Sequence, residues 1–133
     1  MPRFLHTSIF VNDMAESIEF YTEKLGLRLL DGPFRYPGNA DMAFVGSGWD
    51  AYVELVYDLE DHPEYALGNR YEHLAIEVDG DLQRYVDALK TKGVKILKDV
   101  YKSPSGTRAI AFIEDPNGIP VELLEPRKTP HPA

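Results

Sequence analysis

Two histidines and two glutamates recur in this chain at matching places. With Leu5-His6-Thr7-Ser8-Ile9-Phe10-Val11 set over Glu72-His73-Leu74-Ala75-Ile76-Glu77-Val78, Gly26 falls on Gly93 and Leu30 on Leu97. After a one-residue step, Ala43-Phe44 lies over Ala111-Phe112, and Val53-Glu54-Leu55 over Val121-Glu122-Leu123. A duplication that repeats only glycines and core residues reports a fold. One that also repeats an imidazole and a carboxylate at strand positions points to a site. His6, Glu54, His73 and Glu122 are together enough to hold one divalent metal through nitrogen and oxygen donors. The bland alternative is an ancestral surface pattern that persisted in both halves.

The chain has no cysteine, which excludes disulfides, a thiolate nucleophile and any zinc–thiolate site. A formal charge of −8 and a pI near 4.9 argue against nucleic-acid and anionic-membrane partners, because a phosphate surface would repel the protein. A small-molecule ligand fits better. Met1 to Leu5 runs directly into a strand pattern, with no apolar segment long enough for a signal peptide or a membrane span, so a cytoplasmic protein is expected.

The elements that must carry the four residues follow from periodicity. Residues 4–11 alternate, with Leu5, Thr7, Ile9 and Val11 on one face and His6, Ser8 and Phe10 on the other. Asp13 can cap a helix with Glu16 as its third residue, and Met14, Ile18, Tyr21 and Leu25 then form its apolar stripe up to Gly26. Strands are predicted at Leu27 to Leu30, Met42 to Val45 and Tyr52 to Asp58, with a loop from Asp31 to Asn39. The second half repeats the plan. A strand runs from Glu72 to Val78 and a helix from Leu82 to Lys92 with Leu82, Tyr85, Val86 and Leu89 inward. Gly93 is the stop, and strands follow at Val94 to Leu97, Arg108 to Ile113 and Val121 to Glu125.

At 133 residues the chain is read as one α+β domain. It holds module one at about 4–58, a linker at 59–71, module two at about 72–125 and a proline-rich tail at 126–133. His62 in the acidic linker is read as a surface histidine, and His131 in the tail as inert. Glu54 and Glu122 alternate with Val53, Leu55, Val121 and Leu123, so all four candidate ligands fall on equivalent faces of two small sheets. Burying unpaired carboxylates there would be costly, and a bound metal removes that cost.

The paired βαβββ modules with His6, Glu54, His73 and Glu122 resemble the vicinal-oxygen-chelate superfamily, and within it the bacterial glyoxalase I enzymes, the lactoylglutathione lyases. Ser17-Ile18-Glu19-Phe20-Tyr21, Ala43-Phe44-Val45-Gly46, Tyr71-Glu72-His73 and Ala111-Phe112-Ile113-Glu114-Asp115-Pro116-Asn117-Gly118 carry the same resemblance. It implies tandem modules curved into a half-barrel. It also implies a lyase that converts the hemithioacetal of methylglyoxal and a thiol into a lactoyl thioester by proton transfer through an ene-diolate. The resemblance makes Glu122 the base, Glu54 a ligand and possible second base, and His6 and His73 constant ligands. Nickel is the metal it favours, with cobalt or zinc as alternatives, and it implies a homodimer with the site at the interface.

The chain departs from glutathione-using relatives at two positions. Phe10 stands where they carry an arginine, and Asp58 where they carry an asparagine. Phe10, Asp58, Arg70 and Arg108 are accordingly the candidate substrate contacts, with Lys102 as a further cation and Glu77 in the relation to His73 that Phe10 bears to His6. Other readings are another vicinal-oxygen-chelate reaction, such as an epimerase or thiol transferase, and a non-catalytic small-molecule-binding module.

Overall fold

A computed structural model of the chain describes residues 1–106 and 108–128. From residue 129 onward the expected tail, His131 included, lies outside the described residues. The chain divides into two compact units, Met1–Ala66 and Leu67–Ala133.

The first unit runs β1 (His6–Phe10), α1 (Met14–Glu19) with a wide turn at Phe20–Lys24, β2 (Arg28–Tyr36), β3 (Ala40–Gly48) and β4 (Ala51–Asp58). Its sheet has the order β1-β4-β3-β2, with β1 parallel to β4 and the other pairs antiparallel. The second unit runs β5 (Leu74–Glu77), α2 (Leu82–Thr91), β6 (Lys95–Lys102), β7 (Ala109–Glu114) and β8 (Pro120–Leu124). Its order is β5-β8-β7-β6, with β5 parallel to β8. The fold is α+β, two tandem βαβββ modules with the same topology.

In each unit one sheet face packs on the helix. Ile9, Ala43, Val45 and Leu55 are buried with Phe20, Tyr21 and Leu25 in the first unit; Ala111, Ile113, Val121 and Leu123 are buried with Leu82, Val86 and Leu89 in the second. Along β7 and β8 burial alternates residue by residue, the period-two signature of a sheet with one covered face. The other face therefore carries Glu122, as alternation predicts.

Both helices start on an aspartate. Asp13 accepts from the Glu16 N–H at 2.9 Å, and Asp81 accepts from the Arg84 N–H at 3.0 Å, so each satisfies a backbone donor left open at a helix start. Gly26 and Gly93 follow the two helices with φ of +90° and +77°, where a side chain would be strained.

Three expectations are corrected. The predicted loop from Asp31 to Asn39 is mostly strand: β2 runs on to Tyr36, and only 37–39 turn. Gly32 and Pro33 are absorbed by register shifts between Leu29 and Asp31 and between Asp31 and Phe34, which lets an edge strand hold a residue without an N–H. The first helix buries Ser17, Phe20, Tyr21 and Leu25, while Met14 and Ile18 are half-buried. Its last turn widens, with the Leu25 N–H bonded to the Phe20 carbonyl at 2.9 Å, five residues back. In the second unit β5 is shorter than expected, so His73 immediately precedes it.

Candidate functional site

In the first unit the site begins with β1 register. His6 pairs with Tyr52, Ser8 with Glu54 and Phe10 with Val56, and partners across a sheet share a face. His6 and Glu54 are thus diagonal neighbours on the face turned away from α1. His6 Nε2 lies 3.6 Å from Glu54 Oε2. Behind them, the Ser8 hydroxyl donates to Glu54 Oε1 at 2.8 Å, and His6 Nδ1 is 3.1 Å from the Tyr52 hydroxyl. Tyr52 is gripped in turn by Phe44 and Trp49, both edge-on, with ring centroids at 5.5 and 5.2 Å.

The second unit repeats the primary pair. Leu74 pairs with Val121 and Ala75 with Glu122, which brings His73 Nε2 to 3.6 Å from Glu122 Oε1. His73 Nδ1 is 3.1 Å from Glu72 Oε1, and Phe112 packs edge-on against the imidazole at 5.4 Å. The structure thus brings His6 together with Glu54, and His73 together with Glu122. Among the described residues no group of three or more His, Asp or Glu side chains gathers into a metal-holding cluster. Each unit supplies a two-donor half.

These halves fit a divalent metal in their chemistry. Bonds of about 2.1 Å from nitrogen and oxygen place adjacent donors roughly 3.0 Å apart in an octahedron and roughly 3.4 Å apart in a tetrahedron. A separation of 3.6 Å is about 0.2 Å above the tetrahedral and about 0.6 Å above the octahedral value, so side-chain adjustment alone would bring the donors together. A ligating histidine commonly donates its second N–H to an oxygen, and both Nδ1 atoms have an oxygen at 3.1 Å.

The candidate substrate contacts separate. Phe10 is exposed and stacks on Tyr65 at 5.2 Å and 10°. Tyr65 stacks in turn on His62 at 4.2 Å, so His62, read from sequence as a surface histidine, takes part in a three-ring stack. The Tyr65 hydroxyl is buried with no hydrogen-bond partner among the described residues, and desolvation, with help from Asp58 and Tyr57, pushes its pKa upward. Asp58 lies four residues after Glu54 on β4, on the same face, and accepts from the Glu60 N–H at 2.9 Å. Arg70 is exposed, in the segment of sequence that follows β4 and precedes β5. Arg108 is held within its own unit by Glu77 at 2.6 Å and by the Glu125 carbonyl at 2.9 Å. Lys102 pairs with buried Ala109, which places it on the helix-packed face.

Sequence reasoning missed Ser8, Tyr52 and Tyr65. Alternation already put Ser8 on the face of His6, but its bond to Glu54 depends on strand register. Tyr65 sits in a segment read as a linker and gave no periodic signal.

The matches to known proteins agree with this architecture. Residues 3–123 match the family model described as the Glyoxalase/Bleomycin resistance protein/Dioxygenase superfamily. The chain is 38% identical to a probable lactoylglutathione lyase of Vibrio parahaemolyticus, over 92% of this chain and 90% of that one. Among solved structures it is similar to glyoxalase I of Zea mays (TM-score 0.85, 32% identity), covering 98% of this chain and 47% of the maize chain. It therefore spans about half the length of the maize protein. It is also similar to the trypanothione-dependent glyoxalase I of Leishmania major (TM-score 0.78, 34% identity), covering 94% of this chain and 87% of that one.

Proposed function

Because the chain belongs to the glyoxalase/bleomycin resistance protein/dioxygenase superfamily and is a lyase of the lactoylglutathione lyase kind, we propose that it isomerises the hemithioacetal of methylglyoxal and a thiol to a lactoyl thioester. The observation that carries this reading is the same imidazole-to-carboxylate separation, 3.6 Å, in both units. His6, Glu54, His73 and Glu122 are the residues that would hold a divalent metal, nickel before cobalt or zinc. When bound, such a cation supplies Lewis-acid stabilisation of the negative charge that develops on adjacent substrate oxygens.

The rest of the chemistry belongs to the chain. The substrate carbon that bears sulfur and hydroxyl carries a weakly acidic hydrogen. Glu122 takes that proton as the C–H bond breaks and its electron pair forms the ene-diolate. The same carboxylate returns the proton to the neighbouring carbon, and the oxygens exchange the remaining proton. No electrons leave the substrate and no water is consumed. A carboxylate base at this position is worth roughly 10²–10⁴-fold in rate. Glu54 holds the opposite side. Phe10, Asp58 and Tyr65 form the end of the first unit's open face, which is aromatic and acidic and suits a thiol whose far end is not a carboxylate.

A homodimer that combines half-sites, acting in the cytoplasm, completes the reading. No helix among the described residues is long and apolar enough to cross a membrane. The test is thioester formation from methylglyoxal and glutathione by chelator-stripped protein reloaded separately with nickel, cobalt and zinc. Restoration by one metal supports the reading; stoichiometric metal binding without turnover of this or any other thiol adduct overturns it.

A further inference from the structure

The two halves of the donor set match in their primary pair and differ in what stands behind it. Exposure does not separate the carboxylates, since the Glu54 and Glu122 side chains are 17% and 18% exposed. Their partners do. Ser8 faces Glu54 across the β1–β4 ladder and donates to it at 2.8 Å, whereas the residue facing Glu122 across the β5–β8 ladder is Ala75, which has nothing to donate. Tyr52 pairs with His6 and its hydroxyl meets Nδ1, whereas the corresponding place before Val121 is Pro120. Behind His73 stands Glu72 instead, 86% exposed and on a neighbouring loop position.

Tyr52 cannot easily leave its place. Phe44 and Trp49 close on its ring, and Gly46, its partner on β3, leaves the room it needs: a Cβ there would come within 2.9 Å of the Tyr52 Cβ. A hydroxyl bonded to one carboxylate oxygen fixes the rotamer of a side chain that otherwise has three free torsions. The first pair therefore has a hydroxyl behind each of its members, while in the second an oxygen stands behind His73 alone and Ala75 faces Glu122.

Resting on the function proposed above, we propose that Ser8 and Tyr52 are positioning residues that lock His6 and Glu54 as a fixed half-site, and that Ala75 and Pro120 leave Glu122 able to turn between two substrate carbons. The two glutamates, equal by duplication, are made unequal by the residues that face them. The duplicated pattern thereby gives one permanent ligand and one that can carry a proton.

The experiment uses the full chain in three variants, Ser8→Ala, Ser8→Thr and Ala75→Ser, with two readouts: nickel affinity by chelator competition, and kcat and KM for the methylglyoxal–glutathione adduct. Ser8→Ala weakens nickel binding about tenfold, and Ser8→Thr, which keeps the hydroxyl, restores it. Ala75→Ser places a donor opposite Glu122; it leaves nickel affinity equal or tighter while kcat falls severalfold and KM changes little. Tyr52→Phe shifts nickel affinity in the direction of Ser8→Ala. Unchanged affinity in Ser8→Ala, or unchanged kcat in Ala75→Ser, overturns the proposal. Should the wild-type protein bind nickel but turn over no adduct, the catalytic reading fails while affinity alone still decides the lock. Wild-type protein that binds no divalent metal overturns both.

Discussion

Arg108 lies across the open face of its sheet with Nη2 2.6 Å from Glu77 Oε2 and Nε donating to the Glu125 carbonyl at 2.9 Å. Glu77 comes four residues after His73, as Phe10 comes four after His6. The guanidinium that the sequence offers to a substrate carboxylate is therefore committed to acceptors of its own unit. An ion pair with one side 22% exposed and the other 46% is only partly screened by solvent. Removing its anionic member releases the cation. Glu77→Gln is expected to lower KM for the glutathione adduct severalfold, and kinetics across glutathione, its diethyl ester and cysteamine would check it. A KM unchanged for the free acid would show that Arg108 does not reach substrate.

Phe10 supplies the complementary test in the first unit. Its ring lies near-parallel to Tyr65 at 5.2 Å, and it pairs with Val56, two residues before Asp58 on β4, so an anionic thiol bound there would meet aromatic carbon and a carboxylate. Phe10→Arg would place a cation on the face of His6 and Glu54. Its kcat/KM for the glutathione adduct should rise relative to that for the cysteamine adduct. A ratio that stays constant sinks the assignment of Phe10 to thiol selection.

Glu122→Gln keeps shape and removes the proposed base. A loss of roughly 10²–10⁴-fold in kcat is expected, with the far-ultraviolet circular dichroism of the wild type. Because Glu122 alternates with buried Val121 and Leu123 on β8, the substitution changes the open face and leaves the packed one intact. Near-wild-type turnover would remove Glu122 from the mechanism.

The primary pairs were legible because duplication repeats them in register, and because alternation alone fixes which face a strand residue takes. His6 and Glu54 could be matched with His73 and Glu122 without knowing which strands pair. The supporting contacts were not legible in that way. Ser8 reaches Glu54 across 46 positions of sequence, and only the parallel register of β1 on β4 sets that meeting. Gly32 and Pro33 misled for a local reason, since both residues break regular structure except where a register shift absorbs them. The acidic linker carried no period at all, which hid the stacking of Tyr65 on Phe10.

The first unit's core gives a stability prediction. Leu55 is fully buried between Ile9 on β1 and Ala43 on β3, next to Glu54 on β4 and on the opposite face of the sheet. Leu55→Ala leaves a cavity there and should cost about 2–5 kcal/mol in chemical denaturation. It should also weaken nickel binding, because β4 sets the register of Glu54 against Ser8. Lost stability with metal affinity fully retained would separate the core from the half-site.

Stability at the extremes of pH follows from α2. Lys90 reaches Asp99 on β6 at 2.6 Å, and that hydrogen bond raises the lysine pKa and lowers the aspartate pKa. A lowered carboxylate pKa stabilises above the unfolded value near 3.8 and loses its contribution as pH falls through the folded value; the raised lysine contributes below 10.5 and loses it as pH rises through its own. Both groups are solvent-exposed, so the effect is modest and salt-sensitive. Tyr85 acts on the alkaline side alone. Burial pushes its phenol from 10.0 to about 12, so between those values the unfolded chain releases a proton that the folded chain retains, and stability falls as pH rises. Tyr85→Phe cannot ionise. Its urea midpoint should decline less steeply than the wild type's above pH 10, while Lys90→Met should flatten the acid limb and leave the Tyr85 contribution unchanged. Parallel alkaline limbs in wild type and Tyr85→Phe would show that this phenol titrates alike in the folded and unfolded chains.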